Sequence, residues 1–197
     1  KISSEPCYDT NASKVAESIN NLLGMISSSA EDEAPFLLSG FLSFYIENMT
    51  NHSELRFRSL AAHFFSDLLS SSSDSLDDEF KLNVLSFAVQ MADEDFDQFA
   101  FSCLKNFASN EEDIELAKEI SNDVYRICME KITFPTCKSK KYFLMRDNAI
   151  STLSLFGLNV IGDDLDLDEF LPPFLNALPI VIDYSENESV MEFFLWL

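Results

Sequence analysis

The sequence predicts an all-α protein, a solenoid in which helical hairpins stack one after another. Helix-shaped apolar segments recur in pairs, and the second segments begin at Leu55, Phe96, Met145 and Val190, in steps of 41, 49 and 45 residues. No stretch combines alternating apolar and polar residues with a hairpin-turn dipeptide, so no strand is predicted. With 47% hydrophobic residues and 19 Phe against 4 Gly, the chain has enough apolar material for a continuous core.

The length of these steps indicates the kind of repeat, because HEAT and armadillo repeats recur roughly every 40 to 47 residues. We therefore predict a HEAT-repeat α-α superhelix of about four helical hairpins plus a leading helix. The solenoid is expected over 11–197, after an irregular N-terminal segment over 1–10, and the first residue, Lys1, leads us to expect a fragment of a longer protein. The predicted hairpins cover about 34–70, 78–108, 112–157 and 167–197.

The leading helix and the first hairpin follow from apolar spacing. Apolar residues from Val15 to Ile26 recur on one helical face. The next helix runs from about Ala34 to Met49, and its Pro35 is tolerated in a first turn. The second helix of the hairpin contains doublets such as Phe64-Phe65, an apolar face so wide that it must be covered on more than one side. The serine tract from Ser70 to Ser73 predicts a flexible, solvated loop.

The second and third hairpins show the same pattern with different connections. Phe80 to Met91 and Phe96 to Phe107 are both amphipathic, and the acidic turn Asp93-Glu94-Asp95 between them predicts a tight helical hairpin. One long helix is then expected from about Glu112 to Lys131. A basic loop follows, the only sizeable positive cluster in the sequence, with Lys138, Lys140 and Lys141.

The last two predicted helix boundaries depend on glycine and proline. The second helix of the third hairpin is expected to stop at Gly157, since glycine commonly ends helices. After the acidic linker from Asp163 to Asp166, the last hairpin pairs a proline-containing helix, Phe170 to Leu178, with an amphipathic segment, Glu188 to Leu197. The prolines also interrupt the longest apolar run, so no membrane-spanning segment is predicted.

The charge of the chain indicates which partners it favours. The 13 Lys and Arg residues against 34 Asp and Glu give a net charge of −21. A field of that sign repels nucleic-acid phosphates and anionic lipids and attracts basic proteins. We therefore expect no direct nucleic-acid binding, no membrane binding, and basic protein partners.

The sequence indicates no enzyme, no metal site and no cofactor site. His52 and His63 have no partners at metal-ligand spacing, and the acidic pair Asp163 and Asp164 has no nucleophile beside it. The phosphate-binding and dinucleotide-binding glycine motifs are missing, as is the ligand order of a calcium loop. The cysteines lack CxxC spacing, which favours reduced thiols inside a cell; they are Cys7, Cys103, Cys128 and Cys137.

Two ordered segments add a family resemblance. The stretch 145–153, with Asn148-Ala149-Ile150-Ser151, is followed by an acidic linker and then by 168–179, which contains Leu171-Pro172 and ends at Pro179. Together with the upstream segment 64–69, they resemble the C-terminal part of importin-beta-type karyopherins, most closely the importin-five or karyopherin-beta-three branch. The order and spacing of these pieces agree from about residue 15 to 197.

The resemblance implies a function that the composition alone does not. It implies a nuclear import receptor of HEAT repeats that shuttles between cytoplasm and nucleus. Such a receptor carries cargo, contacts Phe-Gly nucleoporins and releases cargo on binding Ran-GTP. The main Ran contacts of that family lie in N-terminal repeats, so Ran-GTP would bind mainly outside this chain. Two alternatives stay open: another HEAT scaffold, of the phosphatase-scaffold or exportin-like kind, and a helical enzyme with a buried carboxylate site.

In a HEAT solenoid the second helix of each hairpin lines the concave face, which selects candidate cargo-facing residues. The candidate carboxylates are Glu54, Asp93, Glu94, Asp97 and Asp147, accompanied by Arg58 and Arg146. Their carboxylates are suited to pairing with Lys and Arg of a basic cargo segment. A solvated acidic face that keeps a Phe-rich chain in solution explains the same residues without a partner.

Overall fold

The computed structural model describes residues 10–30, 33–94, 97–135 and 137–197, and over these ranges the chain forms ten α-helices and no strand. The all-α prediction is confirmed. The predicted irregular segment 1–10 lies almost wholly outside the described residues. The helices are α1 Thr10–Ala30, α2 Ala34–Phe44, α3 Leu55–Ser72, α4 Asp78–Glu94, α5 Gln98–Ser109, α6 Ile114–Glu119, α7 Ser121–Thr133, α8 Phe143–Leu155, α9 Leu167–Ala177 and α10 Asn187–Trp196.

The helices form two rows. In the central row, α1, α3, α5, α8 and α10 each pack against the next. The flanking row contains α2, α4, α6 with α7, and α9, and each of these helices contacts central-row neighbours. Since turns join contacting helices, successive helices alternate in direction when α6 and α7 are counted as one divided helix, as in stacked repeats.

The core lies along the central row. The predicted wide face of α3 is covered on two sides, because α3 lies between α1 and α5. Phenylalanine dominates this core because each ring fills much of the space between neighbouring helices. The fully buried rings are those of Phe64, Phe65, Phe101, Phe107, Phe156, Phe170, Phe174 and Phe193.

Among the residues that the structure describes, none covers the outer face of the first helix pair. Of the predicted apolar face of α1, Leu23 is buried, whereas Val15 is 58% exposed. On α2, Phe36 is 83% exposed, and no charged residue occurs between Ala34 and Phe44. A pocket of about 660 Å³ on this pair is lined almost entirely by apolar side chains. Over the described residues, no helix has both the length and the apolar composition to cross a bilayer.

The serine tract does not form the predicted flexible loop. Ser70 to Ser72 complete the last turn of α3, and Ser73–Ser75 form a 3-10 turn. Ser72 and Ser73 are buried, and Ser73 Oγ donates to Asp113 Oδ2 at 2.6 Å. The prediction was wrong because it considered the polarity of serine and not the buried acceptor that its hydroxyl reaches.

Two predicted helix boundaries also differ. The single helix from 112 to 131 is divided into α6 and α7 at Ile120, where the backbone leaves helical geometry at φ −110° and ψ 4°. Gly157 does not end its helix, because the chain continues through a π-helical turn, Phe156–Ile161, and reverses at Gly162 with φ +58°. The role of Gly157 is close packing, since an added Cβ would lie 2.9 Å from Cε2 of Phe193.

Candidate functional site

The turns that leave the central row lie at one edge of the stack, and the first two described turns are linked to each other. These turns occupy 73–77, 110–113 and 162–166. Asn110 Nδ2 donates to Asp74 Oδ1 at 2.9 Å, which joins the first turn to the second. Because antiparallel helices bring every second turn to the same end, these turns and the first turns of the helices after them form a continuous edge.

This edge has a high density of exposed carboxylates, and we call it the acidic edge. Each member is exposed, and most lie in or just before the first turn of a helix, where a negative charge interacts favourably with the helix dipole. The carboxylates are those of Glu33, Asp74, Asp77, Asp78, Glu79, Glu111, Glu112, Glu115, Asp163, Asp164, Asp166, Asp168 and Glu169.

Only two cations lie at the acidic edge among the residues that the structure describes, and both are paired. Lys81 is 4% exposed, and its Nζ lies 2.6 Å from Asp113 Oδ1. Lys118 is exposed and pairs with Glu115 at 2.7 Å. The exposed carboxylates therefore give this edge a strongly negative potential that attracts basic groups.

The opposite edge has mixed charge and contains the carboxylates that the sequence singled out. Glu54 lies 2.8 Å from Arg56 Nε, and Asp93 lies 3.1 Å from Arg126 Nη2. Glu94 is exposed and accepts a hydrogen bond from the Gln90 amide at 3.3 Å. Neighbouring cations such as Arg56 and Arg126 offset the negative charge here, so this edge attracts basic groups less strongly than the acidic edge does.

Asp97 stabilises the start of a helix. Its Oδ1 accepts from the backbone N–H of Phe99 at 2.9 Å and of Ala100 at 3.2 Å. Its Oδ2 accepts from Ser59 Oγ of α3. This carboxylate therefore caps α5 and ties it to α3, and its oxygens are already occupied by protein donors.

The prediction that Asp147 faces a partner is corrected by its burial, since its exposed fraction is 0%. Asp147 Oδ2 accepts from the backbone N–H of Val181 at 2.9 Å, of Ile182 at 2.7 Å and of Asp183 at 3.3 Å. Arg146 is also buried, and its Nη2 lies 3.1 Å from Asp147 Oδ1. The pair holds the loop before α10, and a side chain without exposed surface cannot contact a partner.

The remaining basic residues that the sequence analysis named also lie on or near the opposite edge. Arg58 is half-buried and donates to the backbone carbonyl of His52 at 2.8 Å. Lys138 and Lys140 are exposed in the loop between α7 and α8. The basic loop and the acidic edge thus lie at opposite ends of the helices.

The described residues contain no group of three or more His, Cys, Asp or Glu placed to hold a metal ion. Burial raises the pKa of the Cys103 and Cys128 thiols well above the usual range, so neither thiol ionises at neutral pH. The His63 ring stacks on Phe99, with 4.2 Å between centroids, and its Nε2 lies 3.7 Å from Asp67 Oδ2. This histidine packs in the interface between α3 and α5.

The acidic edge contains two pockets between neighbouring flanking helices. The pocket between α2 and α4 has a volume of about 400 Å³ and a mixed lining, whose apolar members include Leu42, Ile46 and Phe80. The pocket between α7 and the start of α9 has a volume of about 580 Å³. Both therefore combine apolar surface with nearby carboxylates.

Sequence reasoning treated the acidic runs as turns and linkers and so did not single out this edge. The signal that identifies it is the position of the runs, because Asp77 to Glu79 and Asp166 to Glu169 both open a flanking helix. Neither the comparison with protein-family models nor the comparison with curated proteins gives a match for this chain.

Proposed function

We propose that this chain is a protein-binding segment of a nuclear import receptor, and that it holds basic cargo reversibly along the acidic edge. The observation that carries the proposal is the separation of charge. Exposed carboxylates crowd one edge, where the two described cations are both paired, whereas the opposite edge mixes both signs. A cargo segment rich in Lys and Arg is steered to such a surface and held by short-range pairing.

The stacked fold suits reversible binding without catalysis. Each helix pair packs mainly on its neighbours, with the Lys105–Glu186 ion pair as a longer link, so small rotations between pairs add up along the stack and change the spacing of the acidic turns. A cargo that spans several turns is then gripped or released by modest changes at each pair.

The resemblance to karyopherins supports the receptor part of the proposal through the packing of the fold. Asn148-Ala149-Ile150-Ser151 lies in α8 with all four residues buried, and Leu171-Pro172 lies in α9. The α8 segment packs inside the stack, whereas Leu171 is half-buried and Pro172 is exposed, so the first segment concerns repeat architecture more than a binding surface. Shuttling between cytoplasm and nucleus, and cargo release by Ran-GTP bound mainly outside this chain, belong to the same proposal.

Nucleoporin binding is proposed at the pocket between α2 and α4. Leu42, Ile46 and Phe80 are half-buried there, so each presents part of an apolar side chain to solvent. A Phe side chain from a Phe-Gly repeat removes apolar surface from water when it enters such a pocket. We expect the chain to bind Phe-Gly peptides. Ile46→Glu should weaken this binding, and Met191→Glu, on the exposed surface of α10, should leave it unchanged.

The proposed cargo surface is tested with two charge-reversal variants of equal charge change. The first, Glu79→Lys with Glu112→Lys and Asp168→Lys, alters one carboxylate in, or in the first helical turn after, each of the three turns of the acidic edge. The second, Glu94→Lys with Glu188→Lys and Glu192→Lys, alters exposed carboxylates elsewhere. Affinity for a Lys- and Arg-rich histone-tail peptide should fall at least about tenfold in the first variant, and much less in the second. Equal losses would reject the acidic edge as the cargo surface.

A further inference from the structure

The pocket between α7 and α9 has the composition of a site for one particular side chain. Its lining includes the buried Val160 and Leu165, which give it an apolar part. Tyr125 of α7 also lines it and is half-buried, so part of its ring remains accessible. Carboxylates complete the lining, from Asp164, Asp166 and Glu169.

The charges around the pocket leave it strongly negative. Asp166 caps α9, since its Oδ1 accepts from the N–H of Asp168 at 3.1 Å and of Glu169 at 3.3 Å. Asp164 and Glu169 are exposed, and no cation within the described part of the chain forms an ion pair with either. The one cation in the lining, Lys118, pairs with Glu115 at 2.7 Å. Burial raises the pKa of Tyr125 above its usual value, and the negative charges of Glu169 and Asp166 raise it further.

The chain builds a similar arrangement twice. Leu76-Asp77 precedes Phe80 and Leu165-Asp166 precedes Phe170, with Phe three residues after Asp in the first case and four in the second. Leu76 and Leu165 are both buried, and Asp77 Oδ1 accepts from Phe80 N–H at 2.7 Å, as Asp166 accepts at the start of α9. Each motif borders one of the two pockets. Each pocket also presents part of an aromatic ring, that of Phe80 between α2 and α4 and that of Tyr125 between α7 and α9.

An aromatic face beside carboxylates and an apolar surface matches arginine better than other side chains. The planar guanidinium stacks on aromatic rings and pairs with carboxylates through two parallel hydrogen bonds. Its aliphatic stem can cover apolar side chains such as Val160 and Leu165. Lysine carries a compact, strongly hydrated charge and gains less from the ring.

We propose that the pocket between α7 and α9 binds an arginine side chain of a basic partner segment, with the guanidinium between the Tyr125 ring and the carboxylates of Asp164 and Glu169. This inference rests on the proposed function, because it names the side chain that the acidic edge selects. It assigns a specific contact to Tyr125, a residue that contributes no charge to the edge.

The test measures binding of three acetylated hexapeptides, Gly-Ser-X-X-Gly-Ser, in which X is arginine, lysine or citrulline. Titration calorimetry compares the unaltered chain with Tyr125→Leu, Tyr125→Phe and the matched control Tyr184→Leu, an exposed tyrosine outside the acidic edge. The arginine peptide should bind more tightly than the lysine peptide, and citrulline, which is uncharged, should abolish binding. Tyr125→Leu should weaken arginine binding by roughly three- to tenfold, whereas Tyr125→Phe and Tyr184→Leu should preserve it.

A second pair of variants removes equal charge inside and beside the pocket. Glu169→Gln should weaken arginine binding by several-fold more than Asp168→Asn, because Glu169 lines the pocket and Asp168 acts only through its field. Equal effects of Glu169→Gln and Asp168→Asn, or no effect of Tyr125→Leu, would overturn the proposal that this pocket binds arginine. If the histone-tail peptide still responds to reversal of the acidic edge, the proposed function survives that result. If neither the hexapeptides nor the tail peptide binds, both proposals fail.

Discussion

Lys81 and Asp113 form a buried ion pair across 32 residues of sequence, with 2.6 Å between Nζ and Oδ1. The second carboxylate oxygen of Asp113 accepts from Ser73 Oγ, also at 2.6 Å. The three side chains tie the end of α3, the start of α4 and the turn before α6 together. They fix the spacing of two turns whose exposed carboxylates form the acidic edge.

Removing one partner of this pair should destabilise the chain strongly. Lys81→Met leaves the Asp113 carboxylate buried without its cation, and we expect a loss of about 3 to 5 kcal/mol in the free energy of unfolding. The double variant Lys81→Met with Asp113→Leu should lose less than Lys81→Met alone, because no buried charge remains unpaired. Denaturant unfolding followed by circular dichroism measures both. A double variant that is less stable than Lys81→Met would contradict the assigned role.

Loss of the Asp147 carboxylate should release the loop before α10. Asp147→Ala removes the acceptor of three backbone N–H groups and leaves buried Arg146 with the Pro179 carbonyl but no carboxylate, so the expected loss is about 3 kcal/mol or more. Hydrogen exchange should accelerate at the amides of Val181 and Ile182 more than in the rest of the core. The control, Asp93→Ala, breaks a partly exposed pair and should cost no more than about 1 kcal/mol.

Two glycines of the chain give a matched pair of substitutions that should change the stability in opposite directions. In Gly157→Ala, the new Cβ would lie 2.9 Å from the Phe193 ring, and overpacking should cost about 1 to 3 kcal/mol. Gly40 lies inside α2 with nothing within 4 Å of an added Cβ. Gly40→Ala should therefore stabilise the chain by about 0.5 to 1 kcal/mol. Thermal unfolding of both variants checks the signs, and a stabilising Gly157→Ala would contradict the close contact with α10.

Tyr45 should make the chain less stable at high pH. Burial raises the pKa of Tyr45 to about 12 from its ordinary value of 10.0. Between those values the unfolded chain releases the phenolic proton and the folded chain keeps it, so the stability contribution is present below pH 10 and is lost as pH rises toward 12. Across this pH range the free energy of unfolding should fall more steeply in the unaltered chain than in Tyr45→Phe. The extra loss should be about 2 kcal/mol in total. Identical slopes would show that Tyr45 ionises equally in both states.

The helix pairing could be predicted from sequence because it depends on local periodicity. Phe64-Phe65 and Leu68-Leu69 are apolar on too wide a face for a surface helix, and the structure covers α3 on two sides. The packing role of Gly157 could not be predicted, because it depends on Phe193, a neighbour distant in sequence. Ser73 illustrates the same limit, since its buried acceptor, Asp113, lies 40 residues away.

The candidate site was harder to predict than the fold because a carboxylate looks the same in sequence whatever its partners are. Asp147, Asp97 and Glu79 illustrate this. Asp147 is buried under a loop, Asp97 caps a helix and Glu79 is exposed. Only the direction of each helix and the position of each cation separate these roles, and both require the three-dimensional arrangement.

The central claim, that basic segments bind along the acidic edge, is tested most directly by zero-length carbodiimide crosslinking of a lysine-rich peptide to the carboxylates, followed by peptide mapping. We expect crosslinks at the acidic edge, at Glu79, Glu112 and Asp168, and few at Glu94 and Glu188, which are also exposed. Crosslinking should decline as salt rises from about 50 mM to about 300 mM, because exposed charges are screened. Crosslinks spread evenly over all exposed carboxylates, or concentrated at Glu94 and Glu188, would contradict the claim.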